Sequence, residues 1–302
     1  MHCKITPALL LLLFGISLFA QEATEIYLFE LNKSDSTYSI SNPINISENE
    51  GYDNQPSFTE DGLGILFAST RNGQTDIARY DILENYRTWI TKTDVNEYSP
   101  ASYPNKKKYF TCVRLDQDGS QLLYKYAYTS SRFLVSLKKK LPEVLIPDLK
   151  VGYYLWFDNR TVISFVIGDI ETLQVSNFKH KIKYPIQSNI GRSLNKIPVP
   201  MSIGSNNISF ISKGHEIPEI YAINPTTSDT KYLGDVLEGS EDLTWTKDGT
   251  ILMGKGNKIY KFKPEVDKEW IPIEINSELP LKNITRLTVS PDGTKIAVVV
   301  DE

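Results

Sequence analysis

Residues 55–73 have the sequence QPSFTEDGLGILFASTRNG. Asp61-Gly62 lies between two apolar runs, and this pattern predicts a tight turn that joins two antiparallel strands. Residues 65–68 are apolar at consecutive rather than alternating positions, so we expect both faces of the second strand to be covered. A second glycine turn follows at Asn72-Gly73. The stretch therefore predicts a β-hairpin that is buried between neighbouring sheets.

Weaker copies of this hairpin recur along the chain. Six turns can be placed, and successive turns lie 43, 54, 47, 43 and 44 residues apart. A period in the forties with several strands per unit is typical of the blades of a β-propeller. In the fourth unit the pattern predicts a first strand at residues 199–202. The six turns are Asp61-Gly62, Pro104-Asn105, Asp158-Asn159, Ser205-Asn206, Asp248-Gly249 and Asp292-Gly293.

The two ends of the chain supply complementary parts of one unit. The sixth unit runs out after two strands, while residues 25–30 have the pattern of a third strand and residues 38–46 that of a fourth. We therefore predict an all-β, six-bladed β-propeller, formed by residues 21–302 as a single domain, whose last blade is shared between N- and C-terminal strands. Such closure protects the blade edges without a covalent link.

The opening stretch resembles the proline-aspartate, WD-like repeat of TolB-type β-propellers. In that repeat a Pro-x-apolar-Ser-Pro-Asp-Gly turn leads into an apolar strand and then into a Ser-x-Arg-x-Gly turn. Residues 290–293 match the turn fully, and residues 247–249 match it in part. The resemblance implies the six-bladed fold but does not fix a function. The matching positions of the opening stretch are Pro56, Phe58, Asp61, Gly62, Ser69, Arg71 and Gly73, with Glu60 in place of the second proline.

Residues 1–20 have the layout of a secretory signal peptide. Lys4 is followed by a nearly continuous apolar run over residues 8–19, and the small residue Ala20 marks the expected cleavage point. The run is shorter than the roughly 20 residues that span a bilayer. We therefore expect a periplasmic or secreted protein. After cleavage Cys112 is the remaining cysteine, so an internal disulfide is not expected and stability must come from packing.

The residue inventory points away from several classes of function. The 33 basic and 37 acidic residues leave a net charge of −4, which does not favour nucleic-acid binding. His180 and His215 are the histidines that remain after cleavage, and neither belongs to a metal-binding or catalytic motif. Glu241 and Asp242 could act as a carboxylate pair on a glycan, but the sequence does not give their separation. We predict no cofactor and no metal site.

The fold predicts where a binding site should be. In a propeller the loops that enter each first strand and the loops that follow each second strand meet at one mouth of the ring. Tyrosine and arginine are enriched among residues that anchor binding surfaces, whereas Trp156 and Trp245, in first strands, are expected to belong to the core. The mouth candidates are Tyr52, Asn54, Arg71, Tyr98, Arg114 and Glu241.

Two functional hypotheses follow. The first is an exported, non-enzymatic binding or scaffold module that acts as a monomer and engages an envelope protein or cell-surface glycan at the ring mouth. The alternative is a carbohydrate-active hydrolase or lyase with carboxylates, tyrosines and His215 at that mouth. Clustered acidic or histidine side chains in the channel would favour the enzyme.

Overall fold

The computed structural model describes residues 23–128 and 141–302, and the predicted signal peptide with its cleavage point lies outside them. All the regular secondary structure in these ranges consists of β-strands. None of the described residues forms a helix long and apolar enough to cross a membrane. In chain order the strands are β1 (Thr24–Ser34), β2 (Thr37–Asn45), β3 (Asp53–Phe58), β4 (Gly64–Arg71), β5 (Gln74–Asp81), β6 (Tyr86–Trp89), β7 (Asn96–Ser102), β8 (Tyr109–Leu115), β9 (Gln121–Ala127), β10 (Glu143–Ile146), β11 (Val151–Trp156), β12 (Thr161–Val166), β13 (Thr172–Asn177), β14 (Ile182–Ser188), β15 (Asn195–Lys196), β16 (Ile208–Ser212), β17 (Glu219–Ile223), β18 (Thr230–Asp235), β19 (Leu243–Trp245), β20 (Ile251–Lys255), β21 (Lys258–Phe262), β22 (Ile271–Pro272), β23 (Glu274–Asn276), β24 (Arg286–Val289) and β25 (Lys295–Asp301).

In the described residues these strands form six sheets, which confirms the predicted six-bladed β-propeller. Five sheets contain four consecutive strands each, and we number them blades 1 to 5 from β3–β6 to β19–β22. The sixth sheet, blade 6, has the strand order β23-β2-β1-β25-β24. Within each blade the first strand stands at the inner edge, and β3 of blade 1 contacts β7 of blade 2 and β24 of blade 6. Sequence order is therefore also the order around the ring.

The predicted sharing of the last blade is confirmed. β1 pairs with β25 in antiparallel register from Thr24 opposite Asp301 to Glu30 opposite Lys295. The sequence did not predict that β23 adds a fifth strand, parallel to β2. Phe29 of β1 and Val298 of β25 are both fully buried in the apolar cluster between blades 5 and 6. The ring is thus closed by non-covalent pairing of strands from opposite ends of the chain.

Among the residues that the structure describes, the core consists of six apolar clusters, each filling the seam between two neighbouring blades. Leu66, for example, packs toward blade 2, whereas its neighbours Ile65 and Phe67 pack toward blade 6. Successive side chains of one strand point to opposite faces, so a strand between two seams must be apolar at every position. Cys112 is a fully buried member of one seam, and burial raises the pKa of its thiol well above the ordinary value.

The prediction for the first strand of the fourth unit was wrong. The observed strand is β15 (Asn195–Lys196) rather than residues 199–202. Residues 199–202 lead into a small turn, in which Met201 and Gly204 exchange backbone hydrogen bonds of 2.9 Å. Pro198 and Pro200 lack backbone N–H groups, so this segment cannot form the regular ladder of hydrogen bonds that a strand needs. The apolar residues that suggested a strand instead pack against the seam between blades 4 and 5.

The repeated Asp-Gly turn is a structural device. Asp61, Asp248 and Asp292 each accept a hydrogen bond from a hydroxyl two residues earlier, at 2.7, 2.6 and 2.5 Å. The same hydroxyl groups accept hydrogen bonds from the backbone N–H groups where the chain turns into the second strand. The glycine that follows each aspartate has a φ between 70° and 83°, a conformation that residues with a Cβ rarely adopt. The motif therefore shapes the blade.

Asp248 has a further role at the ring closure. Its carboxylate accepts hydrogen bonds from Lys33 Nζ and Tyr38 OH, both at 2.8 Å, and these two residues belong to strands β1 and β2. Burial disfavours the ionised carboxylate, but the hydrogen bonds from Lys33, Thr246 and Tyr38 together outweigh it and hold the pKa well below its usual range. This turn therefore attaches blade 5 to the N-terminal strands.

We expect Asp248→Ala to destabilise the protein by about 2–3 kcal/mol, because hydrogen bonds to a charged group contribute about 1.5–3 kcal/mol. Asp61→Ala is the matched control, since Asp61 makes only the local turn contacts to Thr59 and Leu63 among the described residues. Asp61 is exposed, and solvent weakens the contacts of exposed charges, so its loss should stay near 1 kcal/mol. Urea unfolding of both variants measures the difference. Equal losses would show that the contacts to Lys33 and Tyr38 add no stability.

Candidate functional site

The inner strands of all six blades line a central cavity of about 700 Å³. Each inner strand runs from the loop that enters the blade toward the turn that leads into the second strand. At the turn end the cavity reaches exposed residues, including Glu60 and Pro291 in the turns and Lys196 at the end of β15. We call this end the turn mouth. At the other end the lining begins with the first residues of the inner strands.

Four residues at that inner end, which we call the floor, are Tyr153, Arg192, Asp242 and Arg286. Tyr153 lies in β11 and Arg286 begins β24, whereas Asp242 directly precedes β19 and Arg192 lies three residues before β15. Each of blades 3 to 6 thus contributes one side chain, either from its inner strand or from the segment that leads into it. The propeller brings together residues that are roughly one repeat apart in sequence.

Asp242 links the two floor arginines. Arg192 donates from Nε and Nη2 to Asp242 Oδ2 at 2.9 and 2.6 Å, and its Nη1 lies 3.0 Å from Glu241 Oε2. The Asp242 side chain is only 8% exposed. Burial disfavours the charged form of Arg192, but the Asp242 carboxylate outweighs this effect and raises the arginine pKa above its ordinary value. Arg192 and Asp242 therefore form a tight ion pair in which the carboxylate is buried and the guanidinium is partly exposed.

Arg286 is held more loosely. Its Nη2 lies 3.6 Å from Asp242 Oδ2, and its guanidinium carbon lies 5.3 Å from the ring centre of Tyr153, in the blade across the channel. The side chain keeps 15% of its surface exposed, because it faces the cavity. Within the described residues its guanidinium makes no hydrogen bond, so its N–H donors remain available to a ligand.

Aromatic side chains form much of the remaining wall. Trp156 Nε1 donates to Thr111 Oγ1 of blade 2, and Trp245 Nε1 donates to Ser209 Oγ of blade 4, both at 2.9 Å. Tyr154 OH donates to the same Thr111 hydroxyl at 2.8 Å. Each aromatic side chain is thereby fixed to the preceding blade. The two tryptophans are buried, as the sequence predicted.

Three of the six sequence-predicted site residues lie near the floor. Burial raises the pKa of the Tyr52 hydroxyl, which also interacts electrostatically with Arg286 and Tyr98. Glu241 pairs with Arg192 and, through Oε1 at 3.3 Å, with Lys213. Tyr52, Tyr98 and Glu241 are not among the residues that line the cavity. Each lies in the chain shortly before the first lining residue of its blade, on the side away from the turn mouth.

The other three predicted residues make contacts within their own blades. Asn54 is buried and its Oδ1 accepts the Gln55 N–H at 2.8 Å. The Arg71 guanidinium stacks 3.7 Å from the ring centre of Trp89 and lies 3.4 Å from Asp76. Arg114 donates to Tyr124 OH at 2.7 Å and pairs with Asp116 at the same distance. His215, named in the enzymatic alternative, is 58% exposed and pairs with Glu219 at 3.4 Å.

Sequence reasoning missed Tyr153, Arg192 and Arg286 as site residues and named Asp242 only as a possible catalytic acid. The available signal was positional, because each residue lies at the start of an inner strand or just ahead of it. Aligning the six units on their inner strands would have placed these residues in one layer. Arg192 was not recognised because the repeat in the fourth unit is weak and its first strand was predicted at residues 199–202.

The site offers few ligands for a metal ion. In the described residues no group of three or more histidine, cysteine, aspartate or glutamate side chains is close enough to hold one. Of the described residues that line the cavity, Glu60 and Asp242 are the carboxylates and none is a histidine. Glu60 lies at the turn mouth and Asp242 on the floor, so the two acids are at opposite ends of the cavity.

The sequence matches no protein-family model and no curated protein. Solved structures match it in fold. A putative TolB from Agrobacterium tumefaciens aligns with TM-score 0.65 and 12% identity over 93% of this chain and 99% of that one. TolB from Acinetobacter baumannii aligns with TM-score 0.51 and 12% identity over 92% and 64%. An oligogalacturonate lyase in complex with manganese aligns with TM-score 0.50 and 15% identity over 91% and 78%. The likeness confirms the predicted TolB-type propeller fold.

Proposed function

We propose that this protein is an exported, non-enzymatic binding module that takes part of an envelope protein or glycan into the turn mouth of its ring. One observation carries the proposal. The cavity has the volume of a ligand site, yet its two carboxylates stand at opposite ends and Asp242 is held by two arginines. Glycoside hydrolysis requires two carboxyl groups that flank one bond. The described lining provides positioning groups rather than an acid–base pair.

The TolB-like fold supports a binding role, since one of its matched structures is TolB over 92% of this chain. The alternative of a carbohydrate-active hydrolase or lyase uses the same fold, as the matched oligogalacturonate lyase illustrates. An enzyme of that kind would bring a polysaccharide to the floor arginines. The two functions differ in whether the bound chain is released intact.

Site-specific photo-crosslinking tests the location of binding. A benzophenone amino acid at Ser57, which lines the cavity, should crosslink to an envelope component in the producing cell. The same amino acid at Thr88, an exposed residue of the outer strand β6, is the matched control and should yield no such product. A product from position 71 in place of position 57 would assign binding to the opposite mouth and contradict the proposal.

Turnover is tested separately. The purified protein is incubated with acidic and neutral polysaccharides, with and without Mn²⁺, and chain length is followed by mass spectrometry. We expect every chain to be recovered intact. Shortened products that disappear in an Arg286→Gln variant would establish the enzymatic alternative and overturn the proposed function.

A further inference from the structure

The cavity is basic although the chain as a whole is acidic. Its described lining contains four cationic side chains and two carboxylates, a balance of +2, while the full chain has 33 basic and 37 acidic residues. Clefts lined by one sign of charge within low-dielectric walls attract ligands of the opposite sign. The cationic residues are Arg192, Lys196, Lys247 and Arg286, and the carboxylates are Glu60 and Asp242.

These cations form two groups along the channel. On the floor, Arg192 is occupied by Asp242 and Glu241, whereas the contacts of the Arg286 guanidinium with other described residues are its 3.6 Å ion pair and its approach to the Tyr153 ring. At the turn mouth, Lys196 and Lys247 line the cavity. Their ammonium groups make no ion pair or hydrogen bond within residues 23–128 and 141–302. The floor thus holds an arginine without a full counter-charge, and the turn mouth holds two lysines, of which Lys196 is partly balanced through space by Asp158 and Glu60.

Arg286 is suited to a carboxylate. A guanidinium presents its N–H donors in a planar fork that matches the two oxygens of a carboxylate. The side chain is 15% exposed and lines the cavity, so a ligand can reach these donors. A carboxylate beside Arg286 would accept their hydrogen bonds and supply the negative charge that Asp242, which is shared with Arg192, only partly provides.

The walls suit an extended peptide. The inner strand of every blade is a sheet edge, and edge strands carry backbone groups that are free to pair with another chain. In blades 1 and 2 these strands contain bulges between Asn54 and Ser57 and between Tyr98 and Ala101. Ser99, in the second bulge, lines the cavity. An extended peptide bound there can pair with backbone groups of the inner strands.

Resting on the proposed function, we propose that the channel binds the C-terminal end of an acidic peptide. The terminal carboxylate is received by Arg286 on the floor, and an acidic side chain nearer the mouth is received by Lys196 and Lys247. The floor residues lie at the inner end of the described lining, so an extended ligand that enters by the turn mouth brings its terminus to Arg286. Capture of a C-terminal carboxylate by fixed donors is a known mode of peptide recognition.

Fluorescence anisotropy tests this assignment with two labelled pools of hexapeptides, each rich in Asp and Glu. One pool has a free C-terminal carboxylate and the other a C-terminal amide. We expect the amide pool to bind the full-length protein about 10- to 100-fold more weakly, equivalent to about 1.4–2.8 kcal/mol. Binding of the carboxylate pool should also weaken as salt concentration rises. Equal affinity for the two pools would overturn the proposal.

Variants assign the effect to the floor. Arg286→Gln should reduce affinity for the carboxylate pool about 10- to 100-fold and leave the amide pool unchanged. Arg286→Lys, which keeps the charge but loses the fork, should give an intermediate loss. Arg79→Gln is the matched control, because Arg79 pairs with Asp81 and does not line the cavity. Thermal unfolding confirms that each variant is folded, and an unchanged affinity in folded Arg286→Gln would contradict the assignment.

The two proposals fail in different ways. If the crosslink from position 57 persists in the Arg286→Gln variant, the proposed function would be supported and the carboxylate site at Arg286 would be contradicted. Absence of any crosslink from the cavity, together with no binding of either pool, would remove both. An oligogalacturonate that displaces the peptides and binds more tightly would replace the peptide with an acidic glycan as the ligand.

Discussion

Deletion of residues 283–302 is expected to abolish cooperative folding of the propeller. The deletion removes β24 and β25, and with them the strand that pairs with β1 across the ring closure. Ile296, Val298, Val299 and Val300 are at most 3% exposed. Full burial of each such side chain contributes about 1.5–3 kcal/mol. Their summed contribution is comparable to the whole stability of a typical domain, about 5–15 kcal/mol.

The deletion would also expose the partners of these strands. Ile26, Leu28 and Phe29 of β1 are buried in the seams on either side of blade 6, and the backbone of β1 would become an unpaired edge. We expect a broad, non-cooperative transition in urea and binding of a hydrophobic dye at zero denaturant.

Removal of Glu302 alone is the matched control for the deletion. Glu302 is exposed and lies beyond the end of β25, so its loss should change the free energy of unfolding by no more than about 0.5 kcal/mol. A 283–302 deletion that keeps a sharp transition at the wild-type midpoint would show that strand sharing does not hold the ring together.

Asp53→Asn is expected to remove a pH dependence from the stability of the protein. Asp53 is fully buried at the start of β3, beside the ring closure. Burial raises the pKa of its carboxyl to about 7, and hydrogen bonds from Ser69 and Asn49 only partly oppose this effect. The negative charge of Glu25, in the closing strand β1, raises the pKa further.

The direction of the effect follows from proton binding. Between pH 4 and pH 7 Asp53 is protonated in the folded protein but ionised in the unfolded chain. The folded state therefore binds more protons, and stability falls as pH rises. The slope is about 1.4 kcal/mol per pH unit for one such group, or about 4 kcal/mol over the whole range. Above pH 7 the contribution becomes constant.

Urea unfolding of the wild type and Asp53→Asn from pH 4 to pH 8 measures the effect. The stability of the variant relative to wild type should increase up to pH 7 and then level off. Asp61→Asn is the control, because the hydrogen bond from Thr59 lowers the Asp61 pKa. Its stabilising contribution is present above the unfolded pKa and constant from pH 5 to pH 8. If the stabilities of wild type and Asp53→Asn changed with pH in parallel, the raised pKa of Asp53 would be contradicted.

Local sequence patterns were sufficient for most strands. The second strand of blade 1 was predicted from consecutive apolar residues, and the structure shows it buried on both faces from Ile65 to Ala68. The turn aspartates were recognised because their hydrogen bonds are confined to a few residues. β15 and β23 were missed because two- and three-residue strands leave almost no periodic pattern.

The candidate site depended on distances that no local pattern contains. Arg71 and Arg114 were expected at the mouth, yet stacking on Trp89 and hydrogen bonding to Tyr124 occupy them within their own blades. Arg192 and Arg286, which the motif search passed over, share Asp242 on the floor. Their separation is set by the radius of the ring and the tilt of its inner strands.

The sequence by itself determined the all-β class, the six units and the sharing of the last blade. These features follow from turn chemistry and apolar runs, which act over a few residues and repeat along the chain. The stretch at residues 55–73 was therefore enough to recognise the fold. Only the tertiary structure decided which side chains meet in the channel. The floor residues come from blades 3 to 6, and their shared electrostatic environment exists only after the ring has closed.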